Sequence, residues 1–371
     1  MSLTRPDLAS LPAYIPGRTV PGAVKLASNE VPYGPLPGVV EAIAEAAAGS
    51  HRYPDMGVVA LREALAEAYR VDPARVVTGC GSVALAESLA RTTCLGPQDE
   101  IVYAWRSFEA YPIITATAGA ASVRVPNRPD HGHDLPAMAA AVSDRTRLVL
   151  VCNPNNPTGT ALRRPELDAF LDAVPETVLV VIDEAYREFV TDPAVPDALQ
   201  TYADRPNVVV LRTLSKAWGL AGLRVGFLVA QPAVAEAVRK VVTPFSTSAV
   251  AQSAALAALR QGDEMARRAA LVVAERDRVA EALRHLLPGV PPTQANFVWL
   301  PLGAQAAPFA AVCEQNRVIV RAFAGDGVRV TIGTPEENDL FLAASAFGRD
   351  ALGRDAAGLD HVPVNNTFGV G

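Results

Sequence analysis

Apolar and polar positions change period several times along the chain. Residues 1–30 carry frequent Pro and Gly without a sustained period, and predict an extended arm. Over 36–48, and again over 58–69, apolar residues recur at helical spacing; Gly49 stops the first stretch and Asp72-Pro73 the second. Short β-branched runs then alternate with Ala/Leu-rich stretches. The runs predict strands over 75–78, 100–104, 122–125, 148–152, 178–182, 208–212 and 225–229, and the stretches predict helices over 82–93, 108–118, 135–142 and 164–173. Such alternation predicts an α/β architecture, a mostly parallel central sheet covered by helices on both faces. The run Val178-Leu-Val-Val-Ile182 is apolar throughout, as a strand buried on both faces should be.

After about Pro232 helical patterns dominate, the longest over 264–287, followed by strand-like 296–301, 318–321 and 328–332. This predicts a smaller α+β C-terminal domain. The expected division is an arm over 1–30 packing on the small domain, a large ligand-binding domain over 31–240 and the small domain over 241–371. The tail after Gly358 shows no clear period.

Composition narrows the function. With 371 residues, 50% of them hydrophobic and 19% charged, the chain can bury a large core, which excludes a disordered or fibrous protein. The 33 basic and 39 acidic residues leave a formal charge of −6, against a dedicated nucleic-acid binder. No apolar run reaches the ~18 residues of a membrane helix; the best, 249–259, is broken by Gln252 and Ser253. The first residues lack a signal-peptide pattern, and four scattered cysteines form no CxxC, so a reducing cytoplasm is the expected compartment. His131 and His133, in Pro129-Asp-His-Gly-His-Asp134, have no Cys or third His nearby and are read as a solvated turn, with no metal site expected. Lysine occurs only at 25, 216 and 240, arginine supplying the rest of the positive charge, which suggests lysine where guanidinium cannot do the chemistry.

Four constellations sit at predicted strand ends, where open α/β sheets bind ligands. Thr78-Gly-Cys-Gly-Ser-Val83 has the form of a phosphate cradle at a helix N-terminus, a form that many strand-to-helix turns share. Asn153-Pro-Asn-Asn-Pro-Thr-Gly159 holds more turn formers than a turn needs, and the Asn156 amide could donate to a ring oxygen. In Asp183-Glu-Ala-Tyr186 a carboxylate emerges from a buried strand; it is either a helix cap or the partner of a protonated pyridine nitrogen, with Tyr186 facing the same site if a helical turn follows. Finally, Lys216 lies within Leu211-Arg-Thr-Leu-Ser-Lys-Ala-Trp-Gly-Leu-Ala-Gly-Leu-Arg-Val-Gly226. An amine there can form a Schiff base, while Arg224, Ser215 and Thr213 can hold a phosphate. Together the four ask for a ligand with a phosphate, a basic ring nitrogen, a phenolic oxygen and an aldehyde, which describes pyridoxal 5′-phosphate.

With these motifs the chain resembles the fold-type I pyridoxal-phosphate enzymes of the aspartate-aminotransferase superfamily, and is most similar to the class-II group of histidinol-phosphate and bacterial aromatic aminotransferases. The resemblance runs from Ser28-Asn-Glu30 to Arg329-Val-Thr-Ile-Gly333, and its most specific part is the Ser-Lys-Ala-x-Gly-Leu-Ala-Gly-Leu-Arg stretch. It implies Lys216 as the Schiff-base lysine, Asp183 on the pyridine nitrogen, and Asn156 and Tyr186 on the ring oxygen. Ser215, Arg224 and the amides around Gly81, Ser82 and Val83 would hold the phosphate, Thr213 less directly, and Phe108 of Ala104-Trp-Arg-Ser-Phe-Glu-Ala-Tyr111 would stack on the ring. Tyr53, in His51-Arg-Tyr-Pro54, resembles a tyrosine that reaches the neighbouring subunit's cofactor phosphate, which implies a homodimer with shared sites. Arg329 matches the arginine that grips the substrate carboxylate, with Arg321 and Tyr14 as further substrate contacts.

The start of the resemblance reads Asn29-Glu30-Val31-Pro32 where histidinol-phosphate enzymes usually read Asn-Glu-Asn-Pro. This favours the aromatic, phenylalanine-type branch. The expected reaction is therefore ping-pong amino transfer between an aromatic amino acid and a 2-oxo acid, 2-oxoglutarate being the expected acceptor. The rivals are histidinol-phosphate transamination and decarboxylation of a phosphorylated amino acid, since one fold hosts several chemistries. A transcription regulator would need a basic DNA-binding domain, and a nicotinamide enzyme a third glycine, neither of which is visible.

Overall fold

The structure is a computed structural model that describes residues 17–358 other than 288, together with residues 3, 5, 8 and 11; side chains are described as far as residue 346. The arm leads into a short strand, β1 (Val24–Leu26), and two helices, α1 (Val39–Ala48) and α2 (Val59–Tyr69). The alternating segment then gives β2 (Val76–Gly79), α3 (Ser82–Thr93), β3 (Glu100–Trp105), α4 (Ala110–Thr117), β4 (Ala121–Pro126), α5 (Leu135–Ala140), β5 (Thr146–Cys152), α6 (Arg164–Ala173), β6 (Leu179–Asp183), α7 (Ala198–Thr201), β7 (Val208–Thr213) and β8 (Gly226–Val229).

These strands form one seven-stranded sheet in the order β2-β8-β7-β6-β5-β3-β4. The pairs among β3 to β7 are parallel, whereas β8 runs antiparallel to both β7 and β2. The reason is local: β7 and β8 are joined by residues 214–225 without a crossover helix, and a parallel return needs one. Successive residues of β6 face opposite layers. Val180 and Ile182 pack with Val149, Val210 and Phe227 on one face, and Val181 packs with Leu148, Val209 and Leu228 on the other. Burial on both sides explains the unbroken apolar run.

Helices α8 (Pro232–Val241), α9 (Ala249–Leu259) and α10 (Gly262–Leu286) follow, then β9 (Phe297–Leu300), α11 (Ala306–Gln315), β10 (Val318–Phe323), β11 (Gly327–Thr331) and α12 (Pro335–Gly358). The second sheet has the order β1-β10-β11-β9. Strand β1 of the arm pairs in parallel with β10, while Arg5 reaches the Ala116 carbonyl of the large-sheet layer at 2.9 Å. Helix α9 lies beyond residue 240 yet packs against α1 and α2, with Ala251, Ala254, Ala255 and Ala258 in the large-sheet core. Its sequence is apolar nearly all round, so no stripe marks which core it serves. His133 corrects the reading of a solvated turn. It is 1% exposed with no close hydrogen bond on either ring nitrogen among the described residues, and burial lowers its pKa to about 4. No described helix is long and apolar enough to cross a membrane.

Candidate active site

The C-terminal ends of β5, β6 and β7 lie in register, Cys152 beside Asp183 and Asp183 beside Leu211. They open onto a cavity of about 220 Å³ closed from the other side by β10 and β11. The turn after β7 carries Lys216 into it, where Nζ donates to the Ser28 carbonyl at 3.1 Å. Burial, and then the nearby charge of Arg329, lower the lysine pKa to about 7, with Glu30 acting in the opposite sense. The amine is therefore substantially neutral at physiological pH, as a nucleophile or general base requires.

One wall is built for an anion. Helix α3 begins at Gly81 (φ 83°) with no side-chain cap, which leaves its first N–H groups and positive dipole end available beside Ser82 and Val83. Across from it, Arg224 Nη1 donates to Ser215 Oγ at 3.2 Å, and the Ser215 N–H donates to Thr213 Oγ1 at 3.1 Å. A Cβ on Gly81 would strike the Arg224 guanidinium, and one on Gly226 would strike the backbone of Gly81 and Ser82. Only glycine lets the arginine and the helix end share this corner.

The opposite wall is a chain of polar groups crossing between the sheets. Of the three asparagines in the 153–159 turn, Asn153 accepts from the Leu162 N–H at 2.8 Å and Asn155 from Ser107 Oγ at 2.7 Å. The side-chain oxygens of both are thus engaged elsewhere, and Asn156 alone of the three lines the cavity. Its Oδ1 accepts from Arg329 Nη1 at 2.6 Å, and Arg329 Nη2 donates to the Ala27 carbonyl at 2.7 Å. Tyr186 Oη accepts from Asn29 Nδ2 at 2.9 Å, and burial raises the phenol's pKa. Arg321 stands opposite Arg329 in the β10–β11 register, and its Nη2 donates to Glu109 Oε2 at 2.8 Å. At the floor, Asp183 is 5% exposed; burial pushes its carboxyl up to about 6, against the pull of a hydrogen bond from Tyr111. Its Oδ1 is buried without a hydrogen-bond partner among the described residues.

Comparison with known proteins agrees with this geometry. The family description "Aminotransferase class I and II" matches residues 21–344. The chain belongs to the class I and II aminotransferases. An aromatic amino acid aminotransferase of Streptomyces coelicolor is 56% identical over 345 residues, 92% of this chain and 96% of the relative. One of Rhodococcus erythropolis is also 56% identical, over 91% of this chain and 94% of its own. Among solved structures, histidinol-phosphate aminotransferase from Sinorhizobium meliloti in complex with pyridoxal 5′-phosphate superposes with a TM-score of 0.84 at 30% identity, covering 95% of this chain and 99% of that one.

The aminotransferase is thus a pyridoxal-phosphate enzyme of fold type I, and its cavity offers what that cofactor needs. There is an amine depressed towards neutrality, an uncapped helix end with an arginine, and a buried carboxylate oxygen awaiting a donor. Of the residues singled out in the sequence, Ser82, Val83, Phe108, Asn156, Asp183, Tyr186, Thr213, Ser215, Lys216, Arg224, Arg321 and Arg329 line the one cavity, and Gly81 shapes its corner. Tyr53 does not line it. That residue is 83% exposed, its ring stacked on Phe245 at 4.6 Å. Tyr14 lies outside the described residues.

Two residues of the aminotransferase site lie within the stretches that carry the resemblance, yet nothing in those stretches assigns either of them a contact. Asn29 adopts left-handed backbone (φ 56°), a conformation asparagine tolerates. Its backbone N–H donates to Thr331 Oγ1 at 2.9 Å while its amide holds Tyr186, 157 positions away in sequence. Nothing in the local pattern announces such a contact. Tyr111 stands three residues after Phe108 at the start of α4, and that spacing is the one signal the sequence offers.

Proposed function

We propose that this aminotransferase moves an amino group between an aromatic L-amino acid of the phenylalanine type and 2-oxoglutarate by a ping-pong mechanism. The observation that carries the substrate class is the 56% identity, over nine-tenths of both chains, to relatives that are aromatic amino acid aminotransferases. The apolar surfaces of Phe108 at the cavity and of Phe297 and Phe323 beside Arg329 support it.

Pyridoxal phosphate, when bound, supplies an aldehyde for the amine and an electron sink for the charge that develops at the substrate Cα. The phosphate would be held by the α3 N-terminus around Gly81, Ser82 and Val83, with Ser215, Arg224 and Thr213; Phe108 would stack on the ring, and Asn156 and Tyr186 would hold its oxygen. Asp183 holds the proton on the ring nitrogen. Arg329 binds the substrate carboxylate through its planar fork, and Arg321 completes the substrate end. Lys216 Nζ would take the Cα proton as general base and deliver it as general acid to C4′, the former aldehyde carbon, for which a pKa near 7 is suited. Tyr53 is 83% exposed and does not line its own cavity, as a homodimer in which it reaches the partner's phosphate requires.

An amine-donor panel with 2-oxoglutarate tests the reading: phenylalanine, tyrosine, histidinol phosphate and threonine phosphate, with CO₂ release followed in parallel. Phenylalanine and tyrosine are expected to lead, with parallel double-reciprocal lines. Preference for histidinol phosphate, or CO₂ evolution, overturns the substrate or the reaction. A fully active monomer at micromolar concentration, or unchanged cofactor retention in Tyr53→Phe, overturns the shared sites.

A further inference from the structure

Tyr111 is 1% exposed, and its hydroxyl donates to Asp183 Oδ2 at 2.9 Å. The other oxygen of the same carboxylate, Oδ1, is buried with no partner among the described residues, and Asp183 lines the cavity. Leaving a buried carboxylate oxygen without a donor is costly. One oxygen is thus filled from inside the protein and the other is kept for a ligand. We propose that Tyr111 is a positioning residue, whose hydroxyl fixes Asp183 so that Oδ1 faces the cavity and the carboxylate stays the weaker base towards a protonated ring nitrogen. The proposal rests on the assignment of Asp183 to the pyridine nitrogen of the cofactor.

The surroundings make the phenol suited to this task. Its ring is held edge-on by Tyr103 at 5.8 Å and by Phe108 at 5.6 Å, and its carbonyl accepts from Thr115 Oγ1 at 2.8 Å. The backbone of Asp183 is equally fixed, its carbonyl accepting from the Asn153 N–H at 2.9 Å within the strand ladder. Side-chain rotation is the freedom left to the carboxylate, and the phenol removes it. Tyr111 is a donor throughout the working range, because burial and then the charge of Asp183 hold its own pKa well above the ordinary value.

The electrostatics run the same way. Burial raises the Asp183 pKa, and the donation from Tyr111 is the largest influence opposing it, ahead of the Ala185 N–H; neighbouring Glu184 adds to the rise. Among the described residues the Cys152 thiol at the end of β5 and the Tyr186 phenol also feel this carboxylate, and burial keeps both protonated, while the Lys216 amine lines the same cavity. Without the Tyr111 hydroxyl, Asp183 becomes the better base and competes for the proton on the ring nitrogen. A neutral ring accepts carbanion charge less well.

The test is Tyr111→Phe in the holoenzyme. It deletes one oxygen and keeps both ring contacts, so the fold is retained. Cofactor labelled with ¹⁵N in the ring reports protonation directly by NMR. In wild type the signal is expected at the protonated position at neutral pH; in Tyr111→Phe it moves towards neutral pyridine, and its titration falls by about one pH unit. The kcat drops on the order of tenfold, the worth of one hydrogen bond to a charged group, while KM for the amino donor stays within about twofold, since Tyr111 acts through Asp183 and not on substrate. In an Asp183→Asn background, Tyr111→Phe is expected to change neither readout further. If Asp183→Asn shifts the ¹⁵N signal and lowers kcat but Tyr111→Phe does neither, Tyr111 is only packing and the proposal fails. If Asp183→Asn itself leaves both unchanged, the assignment of Asp183 fails and the proposal with it. An additive effect of Tyr111→Phe in the Asp183→Asn background also overturns it.

Discussion

Asp183 and Glu184 are neighbours at the end of β6, both carboxylates and both buried, yet their oxygens are treated in opposite ways. Glu184 Oε2 accepts from Arg212 Nε at 3.0 Å and Nη2 at 2.7 Å, and Oε1 accepts from the Ala198 N–H at 3.0 Å. Arg212 is shared with Asp197 Oδ1 at 2.8 Å. Burial works against the charge on Arg212, but Glu184 and Asp197 more than offset it and hold its pKa above the usual value. Asp183 has one oxygen on Tyr111 and the other without a partner among the described residues, and burial pushes it up to about 6. Successive positions at a strand end face opposite ways, so one carboxylate joins an internal ion cluster and the other meets the cavity. A buried acid with a donor from within on each oxygen serves the fold; one with an oxygen left without a donor is poised for a ligand.

The largest expected effect concerns Lys216, the amine in the cavity that Asp183 lines. Lys216→Ala is expected to lose on the order of 10⁴-fold or more in kcat. Lys216→Arg is expected to do no better, since guanidinium stays protonated. Borohydride treatment of the yellow holoenzyme should leave a pyridoxyl adduct on Lys216, read by peptide mass spectrometry; an adduct on Lys25 or Lys240 sinks the assignment.

The two carboxylates themselves should part company next. Asp183→Asn should lose roughly 10²–10³-fold in kcat. The cofactor-free variant should nonetheless be more stable than wild type at pH 7–8, because a folded pKa raised from 3.8 to about 6 makes the folded state bind more protons than the unfolded one across the interval between those values. Stability from this group therefore falls as pH rises from 3.8 to 6, and Asn relieves up to about 3 kcal/mol of it at 1.36 kcal/mol per unit. Glu184→Gln should do the reverse, costing about 3–5 kcal/mol of stability as a broken buried pair does, with the cofactor still bound. Denaturant midpoints for the two variants check this, and destabilisation of both would erase the distinction.

Arg329 carries the comparison across to the second sheet. Arg329→Ala should lose on the order of 10²-fold in kcat/KM for amino-acid donors, the worth of a charge-assisted fork, and Arg329→Lys should recover only part. Values within about twofold for both variants would mean that Arg329 only braces Asn156 and the Ala27 carbonyl and does not grip the substrate.

Much of this molecule was legible from residues alone, for identifiable reasons. The helices α3 and α6 have the bounds their Ala/Leu periodicity indicates, and β6 follows its apolar run to within a residue, because backbone propensity and burial pattern agree there. Lys216 and Arg224 were legible because a rare lysine, flanked by glycines and an arginine at fixed offsets, stands out against a chain that otherwise places arginine wherever it needs a cation. The antiparallel turn of β8 was not, since strand direction depends on how the chain returns rather than on strand composition. Nor was the place of α9, whose alanines suit any core.

What the sequence determined by itself is the inventory and its grouping: the alternating elements, the four loops at strand ends, and an amine, a carboxylate, an amide and an arginine within those loops. Tertiary structure decided which lone pairs are spent and which are left. Asn153 and Asn155 look like Asn156 in the sequence, and Glu184 looks like Asp183, but only Asn156 and Asp183 face the cavity. That choice depends on partners far away in the chain: Tyr111 for Asp183 and Arg329 for Asn156. A hydrogen bond between distant segments leaves no local period, so its existence is settled only when packing brings the two segments together.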